Sequence, residues 1–293
     1  MSLTLTKIRN WLVVFGTTRT PEGPMLYFQR VYFLLGFSTI IKKIHHRHGT
    51  NLRHWVERRN DRECVIKNPF GYYAVNAKND SLTKSLTSFE YTHQPWLAQA
   101  DHTDTFIDIG ANIGFYSLLA VSRYTYQNAY AFEPNPDTFN RMQQNVTLNG
   151  HHDTIFTSSL ALSDTTGGAS LIAEPVHTGG SSLTTPHSGT SASQVSVTLC
   201  PFDTWATAEG MNVSTLSFIK IDVEGHELEV LRGMQQTLPQ LRTGTCIFIE
   251  IQPKTATGAE SRGILHDAGF TEIANTRQRN FLFKKQATST DAA

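Results

Sequence analysis

Acidic residues and glycines that could bind a ligand stand where an apolar segment gives way to a helical one. Residues 106–114 read FIDIGANIG. Gly110 and Gly114 would let a ligand approach the backbone, and the start of a helix offers N–H groups. Asp108, at the predicted strand tip, could meet a cationic ligand. Asn112 replaces the second glycine of a dinucleotide loop, so the motif favours an amino-acid-bearing nucleoside over a pyrophosphate.

A second acid follows at the end of the next predicted strand. Glu133 lies about twenty residues downstream of the glycines, where an acid can accept hydrogen bonds from both hydroxyls of a ribose. The alternative is an acid that belongs to the start of the next helix, before Pro134. Because the glycines and Asp108 stand at matching offsets, we expect Glu133 to bind ribose.

A third group of polar residues lies in residues 218–234, FIKIDVEGHELEVLRGM, at a predicted strand-to-helix junction. Ligands of open α/β sheets bind at the carboxyl ends of strands, so we expect Asp222 to act there. Glu224 and His226 are further candidates for proton transfer, and histidine has the best-placed pKa. A solvent-facing position is the alternative for His226. Glu227 is expected to face the helix N-terminus.

Alternating strands and helices must position these residues. Apolar runs predict strands at 105–109, 129–132, 155–162, 195–199, 216–223, 245–251 and 280–285. Helices are predicted at 113–123, 136–149, 201–208, 227–238 and 260–268, and a loop or hairpin insertion at 165–194. This alternation indicates an α/β fold with a mainly parallel sheet and helices on both faces.

The chain divides into four predicted parts: a basic helical N-terminal extension at 1–63, a hairpin and helix lead-in at 64–100, the main domain at 101–285, and a disordered tail at 286–293. Residues 1–63 hold eleven Lys and Arg against four Asp and Glu, although the whole chain has no net charge. This excess suggests contact with something anionic or a solvated surface. A basic stretch without ordered aromatics is weak evidence for nucleic acid, so a nucleic-acid partner is not expected.

An apolar stretch at residues 25–48 ends in a basic cluster. It is short for a membrane span and has polar residues inside it, so a helix packed on its own domain is expected, with peripheral membrane contact as the alternative. Three distant cysteines match no metal spacing and indicate reduced thiols in a cytoplasmic protein, membrane-associated if the stretch binds a bilayer.

Several motifs in fixed order resemble the FkbM family of methyltransferases that use S-adenosylmethionine (SAM). They are DIGANIGFYS, AFEPNP, LALSD, FIKIDVEGHELEVLRG and FIEIQP, with IDVEGHELEVLRG the most distinctive. The lead-in SFEYTHQPWL is also similar to that of the family. The resemblance covers about residues 86–285. It implies a Rossmann-like class I methyltransferase fold with a seven-stranded sheet, and O-methylation of a hydroxyl on a sugar, glycan or small metabolite.

The resemblance also implies roles for individual residues. SAM would be held at its methionine end by Asp108, Gly110, Asn112 and Gly114, at its ribose by Glu133, and at its adenine by Leu162 and Asp164. Asp222 would lie beside the sulfonium and the incoming hydroxyl, with His226 and Glu224 as other candidates for catalysis. Glu250 and Glu90 are expected to bind the acceptor.

Two other functions stay open on the sequence. One is an NAD-binding oxidoreductase, against which the missing G-x-G-x-x-G argues. The other is an inactive Rossmann-like adaptor at a membrane surface, against which the retained acids argue. No metal is expected, since the twelve histidines form no zinc pattern and oxygen-only sites leave no recognisable spacing here.

Overall fold

The computed structural model of the chain describes residues 63–68, 71–76, 93–173, 193–276 and 279–287. The predicted N-terminal extension up to residue 62, residues 25–48 within it, and Glu90 therefore lie outside the described residues. Strands β1 (Glu63–Asn68) and β2 (Gly71–Asn76) pair antiparallel and confirm the predicted hairpin, which belongs to a compact unit of its own. Within the described ranges, no helix is long and apolar enough to cross a bilayer.

The second compact unit starts at Pro95, and its elements alternate as predicted. A short 3-10 turn (Gln94–Ala98) comes before its first strand. The strands that follow are β3 (Thr105–Ile109), β4 (Asn128–Phe132), β5 (Ile155–Ser158), β6 (Ala161–Ser163), β7 (Gly167–Ala173), β8 (Ser193–Pro201), β9 (Leu216–Ile221), β10 (Cys246–Glu250), β11 (Phe270–Asn275) and β12 (Asn280–Lys285). The described helices are α1 (Phe115–Arg123), α2 (Pro136–Leu148), α3 (Phe202–Ala208), α4 (Glu227–Arg232), α5 (Thr237–Gln240) and α6 (Ala256–Asp267), and a 3-10 turn (Val213–Thr215) precedes β9.

Seven strands form one sheet in the order β11-β12-β10-β9-β3-β4-β5. β5, β4, β3, β9 and β10 are mutually parallel, and β12 runs antiparallel to β10 and β11. Right-handed crossovers put α1 and α2 on one face and α4 on the other, and α6 packs beside α4. This is the predicted class I methyltransferase arrangement, with its switch point between β3 and β9.

The central strands are buried on both faces, as parallel strands in this layered fold usually are. Isoleucines of β3, β9 and β10 join the core under α4, which contributes Val230 and Leu231. On the α1 face, Phe106 stacks on Phe218, and Tyr116 of α1 lies edge-on to Phe248. Since side chains alternate along a strand, Asp108 and Lys220 belong to this aromatic face.

Some predicted elements are wrong in extent. The single strand predicted at 155–162 is divided between β5 of the main sheet and β6 of a separate three-stranded sheet. The strand predicted at 195–199 is the core of β8 in that small sheet. β7 pairs antiparallel with β8, so the hairpin alternative for the insertion at 165–194 is confirmed. The seventh strand of the main sheet is instead β11, at the edge beside β12. Exposed residues of β11 alternate with less exposed ones, which indicates that one face of the strand is covered.

The helix predicted at 227–238 is interrupted after Arg232. A β-carbon on Gly233 would lie 2.0 Å from the backbone oxygen of Ser163, so the chain passes β6 at a distance that only glycine allows. Asp203 then fixes the start of α5 by accepting hydrogen bonds from the N–H groups of Gln236 and Thr237. The helix predicted from residue 113 starts at Phe115, with Gly114 as its N-cap.

Candidate functional site

The glycine loop between β3 and α1 is held by backbone contacts to two neighbouring strands. The N–H groups of Gly110 and Ala111 both donate to the carbonyl of Phe132, at 3.0 and 2.9 Å. A β-carbon on Gly110, whose φ is +74°, would lie 1.9 Å from the carbonyl oxygen of Asp222. Gly110 is therefore required for packing against the loop after β9, and its contact with a ligand stays a prediction.

The other two loop residues shape the entry to α1. Gly114 caps the helix with a φ of +81°, and a β-carbon there would lie 3.1 Å from Cγ of Met142. Asn112 has a φ of +52°, which is uncommon outside glycine, and its Oδ1 accepts a hydrogen bond from the N–H of Ile113. Such backbone strain is typical of ligand-binding loops, although binding through Asn112 and Gly114 stays a prediction.

Asp108 is fully buried at the end of β3. Its Oδ2 accepts hydrogen bonds from the N–H and hydroxyl of Ser117, at 3.0 and 2.6 Å, and Oδ1 lies 3.4 Å from Nζ of Lys220. The carboxylate thus ties β3 to α1 and to β9. The predicted contact between Asp108 and a cationic ligand stays a prediction.

Glu133 connects the glycine loop to the end of β4. Its Oε2 accepts from the N–H of Asn112 at 2.9 Å, and Oε1 accepts from the N–H of Asn135 at 3.0 Å. The carboxylate is held next to the loop, and the predicted ribose contact fits this geometry.

Lys220 of β9 is a central residue of the site that the sequence prediction missed. It is 3% exposed, and its Nζ donates to the carbonyl of Gly110 at 3.1 Å. The same ammonium lies 3.5 Å from Oδ2 of Asp222, besides its ion pair with Asp108, and 5.4 Å from the ring centre of Tyr116. A lysine inside the apolar run FIKI was the available signal, because a buried ammonium requires anionic or carbonyl partners.

Asp222 follows β9 directly, and its N–H extends the sheet by donating to the carbonyl of Ile109 at 3.0 Å. Its side chain is 33% exposed and is thus accessible to a ligand. The neighbouring Glu224 is exposed and has a left-handed φ of +54°. The predicted catalytic roles of both residues stay predictions, although the positions agree with the expected carboxyl end of the strand.

Glu227 holds the loop between β9 and α4. Its Oε1 accepts from the N–H groups of Val223 and Gly225, at 3.3 and 3.0 Å. Burial is the main cause that raises the pKa of Glu227, and the charge of Asp222 adds to it. The prediction that this acid faces the helix N-terminus is confirmed by its place in the first turn of α4.

His226 lies next to β6. Its Nε2 is 3.0 Å from the hydroxyl of Ser163, and its Nδ1 is 3.5 Å from Oε2 of Glu229. The side chain is 12% exposed, so the solvent-facing alternative is wrong. Burial lowers the pKa of His226, while Glu229 and Asp164 oppose that shift. Whether His226 takes a proton from the acceptor stays a prediction.

The segment predicted to flank adenine leads into β6 and the turn after it. Leu162 is buried in the main core, whereas Asp164 is exposed and accepts a hydrogen bond from Ser163 at 3.3 Å. Their adenine contacts stay predictions.

Glu250 ends β10, which is in parallel register with β9 through the pair Ile249 and Ile221. Burial, followed by the charges of Asp222 and Glu227, raises the pKa of Glu250 from 4.5 to about 7. The structure thus brings Asp222 and Glu250 together at the carboxyl ends of two adjacent parallel strands. Within the described ranges, no group of three or more His, Cys, Asp or Glu is arranged to hold a metal ion.

Comparisons with known proteins give one family model and several relatives. The family model for the methyltransferase FkbM domain matches residues 108–272. Hexuronic acid methyltransferase AglP of Haloferax volcanii is 28% identical over 229 residues, or 75% of this chain and 87% of that protein. Methyltransferase 1 of Beauveria bassiana is 30% identical over 190 residues, or 57% and 72% respectively. Among solved structures, M. jannaschii TYW2 in complex with AdoMet has a TM-score of 0.40 at 11% identity, covering 76% of this chain and 86% of that one.

Proposed function

Because this chain belongs to the FkbM family of SAM-dependent methyltransferases, we propose that it methylates a hydroxyl group of a sugar, a glycan or a small metabolite. The observation that carries this proposal is the pair of carboxylates, Asp222 and Glu250, on neighbouring strand ends, with Asp222 in contact with the glycine loop. A hydroxyl loses its proton as it is methylated, so an O-methyltransferase benefits from a carboxylate at this place.

The residues around the glycine loop fit SAM. Glu133 accepts a hydrogen bond from the N–H of Asn112 and would bind the ribose hydroxyls from beside the loop. Gly110 to Gly114 would face the methionine end, and the turn around Asp164 would face the adenine. When bound, SAM supplies a methyl group that is already activated by its positively charged sulfur.

The remaining chemistry is orientation, which can supply much of the rate in a displacement reaction. Gly110 brings its loop within backbone contact of Asp222, so the loop predicted to bind the cofactor lies next to the residue predicted to bind the acceptor. Lys220 holds the two together, because its ammonium binds both the carbonyl of Gly110 and the carboxylate of Asp222. Asp222 can then accept a hydrogen bond from the acceptor's hydroxyl and keep it in line.

The choice of a sugar is supported by the name of the archaeal relative, a hexuronic acid methyltransferase that matches three quarters of the chain. Because the chain belongs to the FkbM family, its cofactor is SAM, and the alternative of an NAD-binding oxidoreductase is excluded. The inactive-adaptor alternative is answered by an activity test. Membrane contact through residues 25–48 stays a separate proposal.

We would incubate the purified chain with methyl-labelled SAM and with glucuronides, neutral methyl glycosides and fractionated glycans. The expected product carries one added methyl group that survives mild alkali, because an ether is stable to alkali and a methyl ester is not. An alkali-labile product would show carboxyl methylation instead. Transfer only to nitrogen acceptors would refute the proposal, and SAM binding without any transfer would favour the adaptor.

A further inference from the structure

Glu250 lies where the acceptor's hydroxyl is expected. It is the last residue of β10 and shares the face of Phe248, two residues earlier, which Tyr116 of α1 covers. The neighbouring strand β9 presents Lys220 beneath the same Tyr116 ring. Asp222, which contacts the glycine loop, and Glu250 therefore occupy adjacent strand ends on the α1 face.

Glu250 differs from the other site carboxylates in what it binds. Asp108 accepts two hydrogen bonds from Ser117, and Asp222 is ion-paired with Lys220. Glu133 and Glu227 each accept two backbone N–H groups. Within the described residues, by contrast, no hydrogen bond or ion pair reaches the carboxylate of Glu250. Its oxygens thus keep their acceptor capacity for a substrate.

The charges around Glu250 favour uptake of a proton near neutrality. Burial contributes most, and Asp222 after β9 and Glu227 of α4 raise the pKa of Glu250 further. Arg279, just before β12, and Lys220 of β9 oppose them, and the pKa is about 7. A general base works best when its pKa is close to the working pH.

We propose that Glu250 is the catalytic residue that removes the acceptor's proton, while Asp222, held by Lys220, positions the hydroxyl. This inference rests on the proposed O-methylation. The acceptor's O–H bond breaks and its proton moves to Glu250 as the oxygen–methyl bond forms. The sulfur–methyl bond breaks with its electron pair remaining on sulfur, which yields neutral S-adenosylhomocysteine. Glu250 later releases its proton to water.

The kinetic test compares Glu250→Gln with the wild-type chain, using methyl glucuronoside and labelled SAM. We expect kcat to fall by about a hundredfold or more, as for the loss of a general base. The affinity for SAM, measured by calorimetry, is expected to change less than about twofold, because Glu250 lies outside the predicted SAM contacts. Glu209→Gln, at an exposed acid near the starts of β3 and β4, should keep full turnover. Added formate should restore part of the turnover of Glu250→Ala.

A second readout needs no acceptor: the pH dependence of thermal unfolding. The folded-state pKa of Glu250, about 7, is above its ordinary value of 4.5. The resulting stabilisation is full below pH 4.5 and is lost as the pH rises through 7. Relative to wild type, Glu250→Gln should therefore gain stability over this window and no more above it.

The outcomes separate the two proposals. Unaltered turnover of Glu250→Gln, or no difference in its pH dependence of unfolding, overturns the role of Glu250. If wild type transfers no methyl group to any hydroxyl, the proposed function fails, and the unfolding comparison still decides whether Glu250 takes up a proton in this range.

Discussion

Replacing Lys220 by methionine tests whether one ammonium organises the site. The side chain is 4% exposed, and its Nζ lies 3.4 Å from Oδ1 of the fully buried Asp108. At that separation, a pair of unit charges interacts by roughly 5 kcal/mol with an effective dielectric constant of about 20. Removing one partner of a buried pair costs about 3–5 kcal/mol, because the other charge is left without compensation.

Methionine keeps an unbranched apolar side chain without the ammonium, so the loss should arise mainly from charge. We expect Lys220→Met to lower the free energy of unfolding by about 3–5 kcal/mol in urea titrations followed by circular dichroism. Lys254→Met, at an exposed position, should change it by less than about 0.5 kcal/mol.

A double-mutant cycle decides the mechanism. Asp108→Asn removes the buried negative charge that Lys220→Met leaves without a compensating cation. The double variant should therefore be more stable than the sum of the single effects predicts, by about 1 kcal/mol or more. A loss below about 1 kcal/mol for Lys220→Met, or strictly additive effects, would refute the reasoning.

Gly110→Ala should destabilise the fold and abolish SAM binding, because its β-carbon would lie 1.9 Å from the Asp222 carbonyl oxygen. Thermal unfolding measures the first effect and calorimetry the second. Gly263→Ala, where a β-carbon meets open space, is the control and should change neither. Glu133→Ala should weaken SAM more than tenfold, since two hydrogen bonds to a charged acceptor are worth roughly 3–6 kcal/mol; a change below threefold contradicts the ribose role. Asp222→Asn should lower turnover about a hundredfold with SAM affinity and melting temperature nearly unchanged; near wild-type turnover would make the acid structural.

The order and type of the main elements could be predicted because local patterns encode them. The runs that became β3, β9 and β10 are apolar throughout, as a strand buried on both faces must be. The division of 155–162 between β5 and β6 could not be predicted, since both pieces are apolar and their separation depends on which strand each one meets. The interruption at Gly233 also depends on a distant contact, with the backbone of Ser163.

Among the site residues, spacing along the chain predicted the positions of Asp108, Glu133 and Asp222 at strand ends. It could not predict their partners. Glu133 and the N–H of Asn112 meet because β4 lies beside β3 in the sheet. The carboxylate of Glu250 titrates near neutrality because burial and two acids from other elements surround it.

The sequence by itself determined the family, the parallel sheet and the strand ends that carry acids, because motif order and hydrophobic period are local properties. Tertiary structure alone decided which polar groups are already engaged within the protein and which keep capacity for a substrate. It made Gly110 a packing residue. It also placed the ammonium of Lys220 near three acceptors: the carboxylate of Asp108, the carbonyl of Gly110 and the carboxylate of Asp222. The physical reason is that the strength of a charge or hydrogen bond depends on burial and on neighbours, which in a doubly wound sheet come from segments far apart in the chain.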